Sequence, residues 1–144
     1  MNSIRSIGII LDGNRRWAKA KGVPALEGHR AGFEALKKLV THAPNLKKKY
    51  GLEFVTLYAF STENWNRAEE EVQYLVRLFH DMALRDLSRL AEEGVRVRFV
   101  GTRDRLSAGM LSAMERVEHE SVGNQFTLWV CLSYGGRAEI LAAT

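Results

Sequence analysis

The sequence is poor in the residues that carry several common chemistries. It holds one cysteine, Cys131, in 144 residues, so no internal disulfide can form. Its apolar neighbours Leu128, Trp129, Val130 and Leu132 predict a buried, inert thiol rather than a nucleophile. With two prolines and no low-complexity tract there is no linker signal, and one domain is expected. No apolar run reaches the roughly 20 residues of a membrane span. The first residues lack the apolar length and cleavage pattern of a secretory leader, which predicts a soluble, cytoplasmic protein. No GxxxxGK[ST] occurs, and no GxGxxG follows a strand pattern, which disfavours nucleoside triphosphate and dinucleotide sites. His29, His42, His80 and His119 never form an HExxH frame, and no serine sits in a GxSxG elbow. Zinc and serine hydrolase chemistry are therefore disfavoured as well.

What is present is a basic first third. Residues 1–50 carry 11 Lys and Arg against 3 Asp and Glu, a net of +8, and residues 51–144 carry 10 against 14, a net of −4; together they give the overall +4. The anion-seeking chemistry is thus concentrated near the N-terminus. No zinc-ligand spacing, RNP-type aromatic pattern or glycine-lysine hairpin accompanies it, so nucleic acid is not the expected partner. The basic run Lys47, Lys48, Lys49 reads as a solvated loop.

Residues 7–11 (IGIIL) form an uncharged apolar run, as expected of a strand buried on both faces. The run stops at the turn formers Asp12, Gly13 and Asn14, and a helix is predicted from Arg15 through Lys19. Residues 22–28, with two glycines and Pro24, read as a loop. From His29 onward Ala31, Phe33, Leu36, Leu39 and Val40 recur at helical spacing until Pro44 ends or kinks the helix. A second strand is predicted over 54–60, followed by the polar cluster Ser61, Thr62, Glu63, Asn64, Trp65, Asn66, Arg67. One long amphipathic helix is expected over 69–93, stopped by Gly94. Next come a strand over 95–100, a helix over 105–121, a break at Gly123 and Asn124, a strand over 126–132, and a last helix from Ala138.

Four strand and helix alternations predict an α/β fold with a mainly parallel sheet flanked by helices. Ligands of such sheets sit beyond the carboxyl ends of the strands. Three of the four strands end in polar clusters, DGNRR, STENWNR and SYGGR. If these share one edge, Asp12, Arg16, Asn64, Trp65, Arg67 and Arg137 face a common cleft. An aspartate at a strand end, beside a helix start carrying two arginines, suits a phosphorylated ligand with a bound metal ion. A simple capped strand-to-helix turn accounts for Asp12 equally well from spacing alone. Glu63 likewise reads as a helix-terminal charge, His29 as a capping residue and Trp65 as core.

The motifs IGIILDGNRRWA, EGHRAG, LYAFSTENWNR and YGGRAEI, in this order over residues 7–140, resemble the cis-prenyltransferases, the family of undecaprenyl diphosphate synthase. The resemblance implies an α/β enzyme, usually a homodimer, that condenses an allylic (farnesyl-type) diphosphate with isopentenyl diphosphate to give a Z-polyprenyl diphosphate. It implies that Asp12 helps hold Mg²⁺ and the allylic diphosphate, and that Gly13, Asn14, Arg15, Arg16 and Trp17 line the diphosphate pocket with His29 near it. Ser61, Thr62, Glu63, Asn64, Trp65 and Arg67 match the mobile loop that closes over the substrates, with Asn64 taken as catalytic. The helix over 69–93 would help wall the tunnel for the growing chain. Asp12, His29 and the diphosphate oxygens are the candidate proton acceptors. Contact with the inner face of a membrane would come only through the lipid product, a cell wall carrier such as undecaprenyl diphosphate.

The sequence departs from the family pattern at Ala25, where many relatives carry an arginine, at Ala68 in place of a proline, and at Ser133 in place of an asparagine. The family's C-terminal RxSGExRxSNF-type motif, which supplies the isopentenyl diphosphate site, is missing, so residues 1–144 read as a single, incomplete domain with little turnover of its own. Two alternatives are a non-catalytic, prenyl-diphosphate-binding accessory subunit and a basic phosphate- or nucleic-acid-binding module. The retained Asp12 speaks against the first; the second explains only the first fifty residues.

Overall fold

The computed structural model describes residues 4–122 and 126–144, the side chains of residues 43 and 44 excepted. Four parallel strands, β1 (Ser6–Ile10), β2 (Phe54–Ser61), β3 (Val95–Val100) and β4 (Phe126–Tyr134), form one sheet in the order β1-β2-β4-β3. The three strands that end in polar clusters are therefore neighbours. The helices are α1 (Asn14–Lys21), α2 (Ala25–Thr41), α3 (Ala43–Tyr50), α4 (Glu69–Met82), α5 (Ser88–Glu92), α6 (Ala108–Glu120) and α7 (Gly136–Ala142). A 3₁₀ turn, Thr62–Asn66, follows β2, and a π-helical turn, Ala83–Leu87, joins α4 to α5.

The core lies against one face of the sheet. Val55, Leu57, Leu128, Val130, Val97 and Phe99 alternate along their strands and pack with Phe33, Leu36 and Val40 of α2, Leu75, Phe79 and Met82 of α4, and Met110, Met114 and Val117 of α6. The opposite face is less covered. Ile10 is 73% exposed and Phe54 37%. Among the described residues, no helix is long and apolar enough to cross a membrane.

The parallel α/β architecture expected from the sequence is present, with several local differences. The first strand is not buried on both faces: β1 is an edge strand, its exposure alternates, and Gly8 and Ile10 face outward. Residues 22–28 are only in part a loop, because α2 starts at Ala25 with Pro24 at its N-cap, where a missing N–H costs nothing. Glu27, Gly28 and His29 are thus helical. The second helix does end just before Pro44, at Thr41, but Pro44 opens the first turn of a further helix, α3, so Lys47, Lys48 and Lys49 are not a loop: they form that helix's last turn, where cations complement the helix dipole. The pattern over 69–93 holds three segments rather than one, with the π turn at Ala83–Leu87 between two α-helical pieces. Ser107 caps α6, accepting from the Met110 N–H, so that helix starts later than the apolar spacing suggests. The expected break at Gly123 and Asn124 lies outside the described residues. Cys131 is buried as expected, and desolvation, with the nearby Glu139 carboxylate, pushes its thiol pKa up.

Candidate functional site

The chain leaves β1 through Leu11 and Asp12 and turns into α1 at Gly13, whose φ of 89° is a left-handed value that suits glycine. Asp12 Oδ1 accepts from the Gly13 N–H at 2.6 Å, and its Oδ2 accepts from Arg16 Nη2 at 2.9 Å. The first helical bond of α1 runs from the Trp17 N–H to Gly13 O at 2.8 Å. The amides of Asn14, Arg15 and Arg16 precede it and carry no intrahelical bond. No acidic residue occupies this first turn. A helix terminus of that kind, with Arg15 and Arg16 beside it, attracts anions.

The position of α1 is set by two glycines of α2. A Cβ added at Gly28 would lie 2.2 Å from Asn14 O and 2.9 Å from the Ala18 Cβ, and one added at Gly32 would lie 2.3 Å from Asn14 Oδ1. The EGHRAG segment thus presents a groove of bare backbone, four residues long in step with the helix, into which Asn14 and the buried Ala18 seat. His29, next to Gly28, is 6% exposed, and its Nε2 is 2.9 Å from Glu71 Oε1 on α4. Arg67 Nη1 donates to the same oxygen at 2.9 Å. Burial alone would raise the Glu71 carboxyl, but the His29 hydrogen bond and the charges of Arg67 and Arg15 outweigh it and hold its pKa below the ordinary value.

The 3₁₀ turn after β2 is internally capped. The Glu63 N–H donates to Ser61 Oγ at 3.1 Å, and the Ser61 N–H donates to Asn64 Oδ1 at 3.0 Å. With its oxygen engaged, Asn64 offers its amide N–H groups to a ligand. Trp65 turns the other way. Its Nε1–H donates to Ser133 Oγ at 2.8 Å, its ring meets Phe60 edge-on with centroids 4.9 Å apart, and the Arg105 guanidinium lies 4.6 Å over its face. Ser133 itself is buried, with a left-handed φ of 53°.

These elements enclose a cleft of about 110 Å³. It brings together Asp12, Gly13, Asn14, Arg15, Arg16, His29, Asn64 and Arg67. Its other end is apolar, formed by Leu11, Phe33, Ala59, Leu75, Leu78 and Phe79. Trp17, Ser61, Thr62, Glu63, Trp65 and Arg137 are not in its lining: Trp17 is 46% exposed, Thr62 packs against Gly135, Trp65 faces the core, and Arg137 is exposed on α7.

Residues 10–144 match the family described as "Putative undecaprenyl diphosphate synthase". The chain belongs to this family. Among its relatives, the Streptomyces coelicolor protein named Bifunctional protein CrtB/UppS is 46% identical over 138 residues, 95% of this chain and 24% of that protein. The Isoprenyl transferase of Agrobacterium fabrum is 43% identical over 139 residues, 96% of this chain and 55% of its own. The crystal structure of lavandulyl diphosphate synthase from Lavandula x intermedia, in complex with dimethylallyl diphosphate, superposes with a TM-score of 0.86 at 30% identity, covering 96% of this chain and 61% of that one. A probable undecaprenyl diphosphate synthase from Campylobacter jejuni gives a TM-score of 0.70 at 25% identity, covering 99% of this chain and 60% of that one. The chain spans about half the length of the isoprenyl transferases it matches.

Around this cleft, sequence reasoning missed Glu71, which backs His29, and the apolar end. Glu71 stands four residues after Arg67, the helical spacing of an ion pair, and Phe33 stands four residues after His29 on the same helix face. Both signals are in the spacing, but neither identifies which neighbouring element the face meets.

Proposed function

We propose that the cleft binds the diphosphate of an allylic prenyl donor, and that the chain is the donor-binding part of an isoprenyl transferase. The observation that carries this reading is the junction, in one cleft, of three arginines and an open helix N-terminus with a floor of six apolar side chains. That lining suits a ligand anionic at one end and hydrocarbon at the other.

In the reaction proposed, the allylic C–O bond breaks and its electron pair leaves with the diphosphate. The double bond of isopentenyl diphosphate supplies the electrons of the new C–C bond, and loss of a proton gives a Z double bond in a product one isoprene unit longer. Arg15, Arg16, Arg67 and the α1 amides would neutralise charge gathering on the departing diphosphate, the term that lowers the barrier most. Asn64 would hold a diphosphate oxygen through its amide. Phe33, Leu75, Leu78 and Phe79 would hold the tail and keep water from the allylic carbon.

Asp12 fits a magnesium ion shared with substrate. It is an exposed carboxylate on the cleft rim, and no group of three or more His, Cys, Asp or Glu among the described residues forms a dedicated cage. Mg²⁺ commonly binds through one or two carboxylates plus phosphate oxygens. When bound there it would supply further neutralisation of the leaving group.

The isopentenyl diphosphate site, a homodimer, an undecaprenyl-length product and contact with the inner face of a membrane through that product are proposals about a protein of the relatives' full length. For this chain, calorimetric titration with farnesyl diphosphate and Mg²⁺ is expected to show saturable binding that weakens about tenfold or more in Asp12→Ala and in Arg16→Ala. Absence of binding, or binding indifferent to both substitutions, overturns the reading.

A further inference from the structure

We propose that Glu71, which lies outside the cleft lining, is a positioning residue that fixes His29 as its Nε2–H tautomer and aims Arg67, so that the imidazole meets a bound diphosphate through Nδ1. The diphosphate part rests on the function proposed above; the tautomer part does not.

The geometry leaves Glu71 little choice of role. Arg67 Nη1 and His29 Nε2 both reach its Oε1 at 2.9 Å. Arg67 can only donate, and a carboxylate can only accept, so an ionised Glu71 requires a proton on Nε2. The side chains are 6% and 13% exposed for His29 and Glu71, so water competes weakly for this contact. His29 Nδ1 has no hydrogen-bond partner among the described residues, nor is it among their buried, unpartnered atoms, and the ring borders the cleft. In the neutral ring that nitrogen is a bare acceptor; once the ring is protonated it becomes a donor. A diphosphate oxygen can accept a hydrogen bond there only from the second state. The charged groups that bond the ring or line the cleft with it are Glu71 on α4, Arg67 after the 3₁₀ turn, and Arg15, Arg16 and Asp12 at the start of α1. Of the two anions among these groups, Glu71 is the one bonded to the ring, and it lies outside the cleft lining.

Nitrogen-15 NMR of the histidines in the free 144-residue chain, at mildly alkaline pH, is expected to show His29 as the Nε2–H tautomer. Glu71→Gln preserves the shape but can accept or donate, and is expected to populate both tautomers. The Nδ1–H tautomer in the unsubstituted chain, or no change in Glu71→Gln, overturns the positioning role. Titrating inorganic diphosphate near neutral pH is expected to give saturable binding. In Glu71→Gln that affinity is expected to drop on the order of tenfold, as it does when metal-ligating histidines lose their outer partners. Glu71→Asp is expected to recover part of it. In a His29→Gln background, Glu71→Gln costs only what Arg67 contributes. A Glu71→Gln affinity that matches the unsubstituted chain overturns the proposal. If the unsubstituted chain binds no diphosphate, the cleft reading fails while the NMR result still decides what Glu71 does to His29. Circular dichroism on each variant separates these outcomes from misfolding.

Discussion

Gly32 and Gly8 make a controlled pair at the residue scale. A methyl group at Gly8 meets nothing within 4 Å, whereas at Gly32 it meets the Asn14 side chain at 2.3 Å. Gly32→Ala is expected to cost about 1–3 kcal/mol, as overpacking does, and to push Asn14 out of the cleft. Gly8→Ala is expected to be neutral within about 0.5 kcal/mol. Urea unfolding together with diphosphate titration distinguishes them, and equal effects at both positions would sink this account of α1 packing. Glu71 carries a second residue-scale expectation. Its folded pKa lies below the 4.5 of an ordinary glutamate, so the stability it adds is present above that value and is lost as pH falls through the lower folded one. Urea midpoints of Glu71→Gln are therefore expected to lie below those of the unsubstituted chain near neutrality and to converge with them in acid. A constant gap at all pH values would mean that lost packing, rather than charge, explains the difference.

At the scale of elements, α6 has a single strong start signal. Ser107 Oγ accepts from the Met110 N–H, and removing it in Ser107→Ala is expected to cost about 1 kcal/mol, read as a lower melting temperature with the diphosphate affinity untouched. The cap is written in the sequence as a serine before an apolar period, yet apolar spacing alone places the start two or three residues early. Similar limits apply elsewhere. The apolar stripe over 69–93 continues through Met82, Ala83, Leu87 and Leu90, all buried, so periodicity carries no mark of the π turn between them. Pro24 reads as a breaker because the same residue serves loops and helix starts, and the packing of Gly28 and Gly32 on α1 is what tips 25–28 into helix. In β1 the uncharged run IGIIL suits either a central or an edge strand. Its place at the edge is a property of the whole sheet, which no local window contains.

At the scale of the molecule, the basic first third and the fold act together. Parallel topology places the ends of β1 and β2 side by side, and the charge excess of residues 1–50 becomes a local field through Arg15 and Arg16, with Arg67 added from the second strand's exit. Arg16 is 80% exposed, so this field is open to counterions. Affinity for inorganic diphosphate is expected to fall steeply as sodium chloride rises from well below to well above about 0.1 M, where the screening length is about 10 Å. Salt-insensitive binding would place the anion at a buried site instead. The polar strand ends are legible in the residue order, and with them Asp12, Asn14, Arg15, Arg16, His29, Asn64 and Arg67. The orientation of Trp65 is not, because an aromatic in a polar cluster gives no sign of whether it faces the cleft or, as here, Phe60 and Ser133.

The backbone groove of α2 gives the two ends of the cleft different capacities for change. Where Asn14 rests on Gly28 and Gly32 there is no side chain to trim or enlarge, and any substitution adds bulk where a neighbouring atom already sits. Selection can act there only by rejecting variants. At the opposite end Phe33, Ala59 and Leu78 line the cleft with side chains, where volume-conserving swaps are the changes a packed site tolerates best. If the cleft binds a prenyl diphosphate as proposed, a lineage built on this chain can drift in which hydrocarbon it accepts while its grip on the anionic group stays as it was.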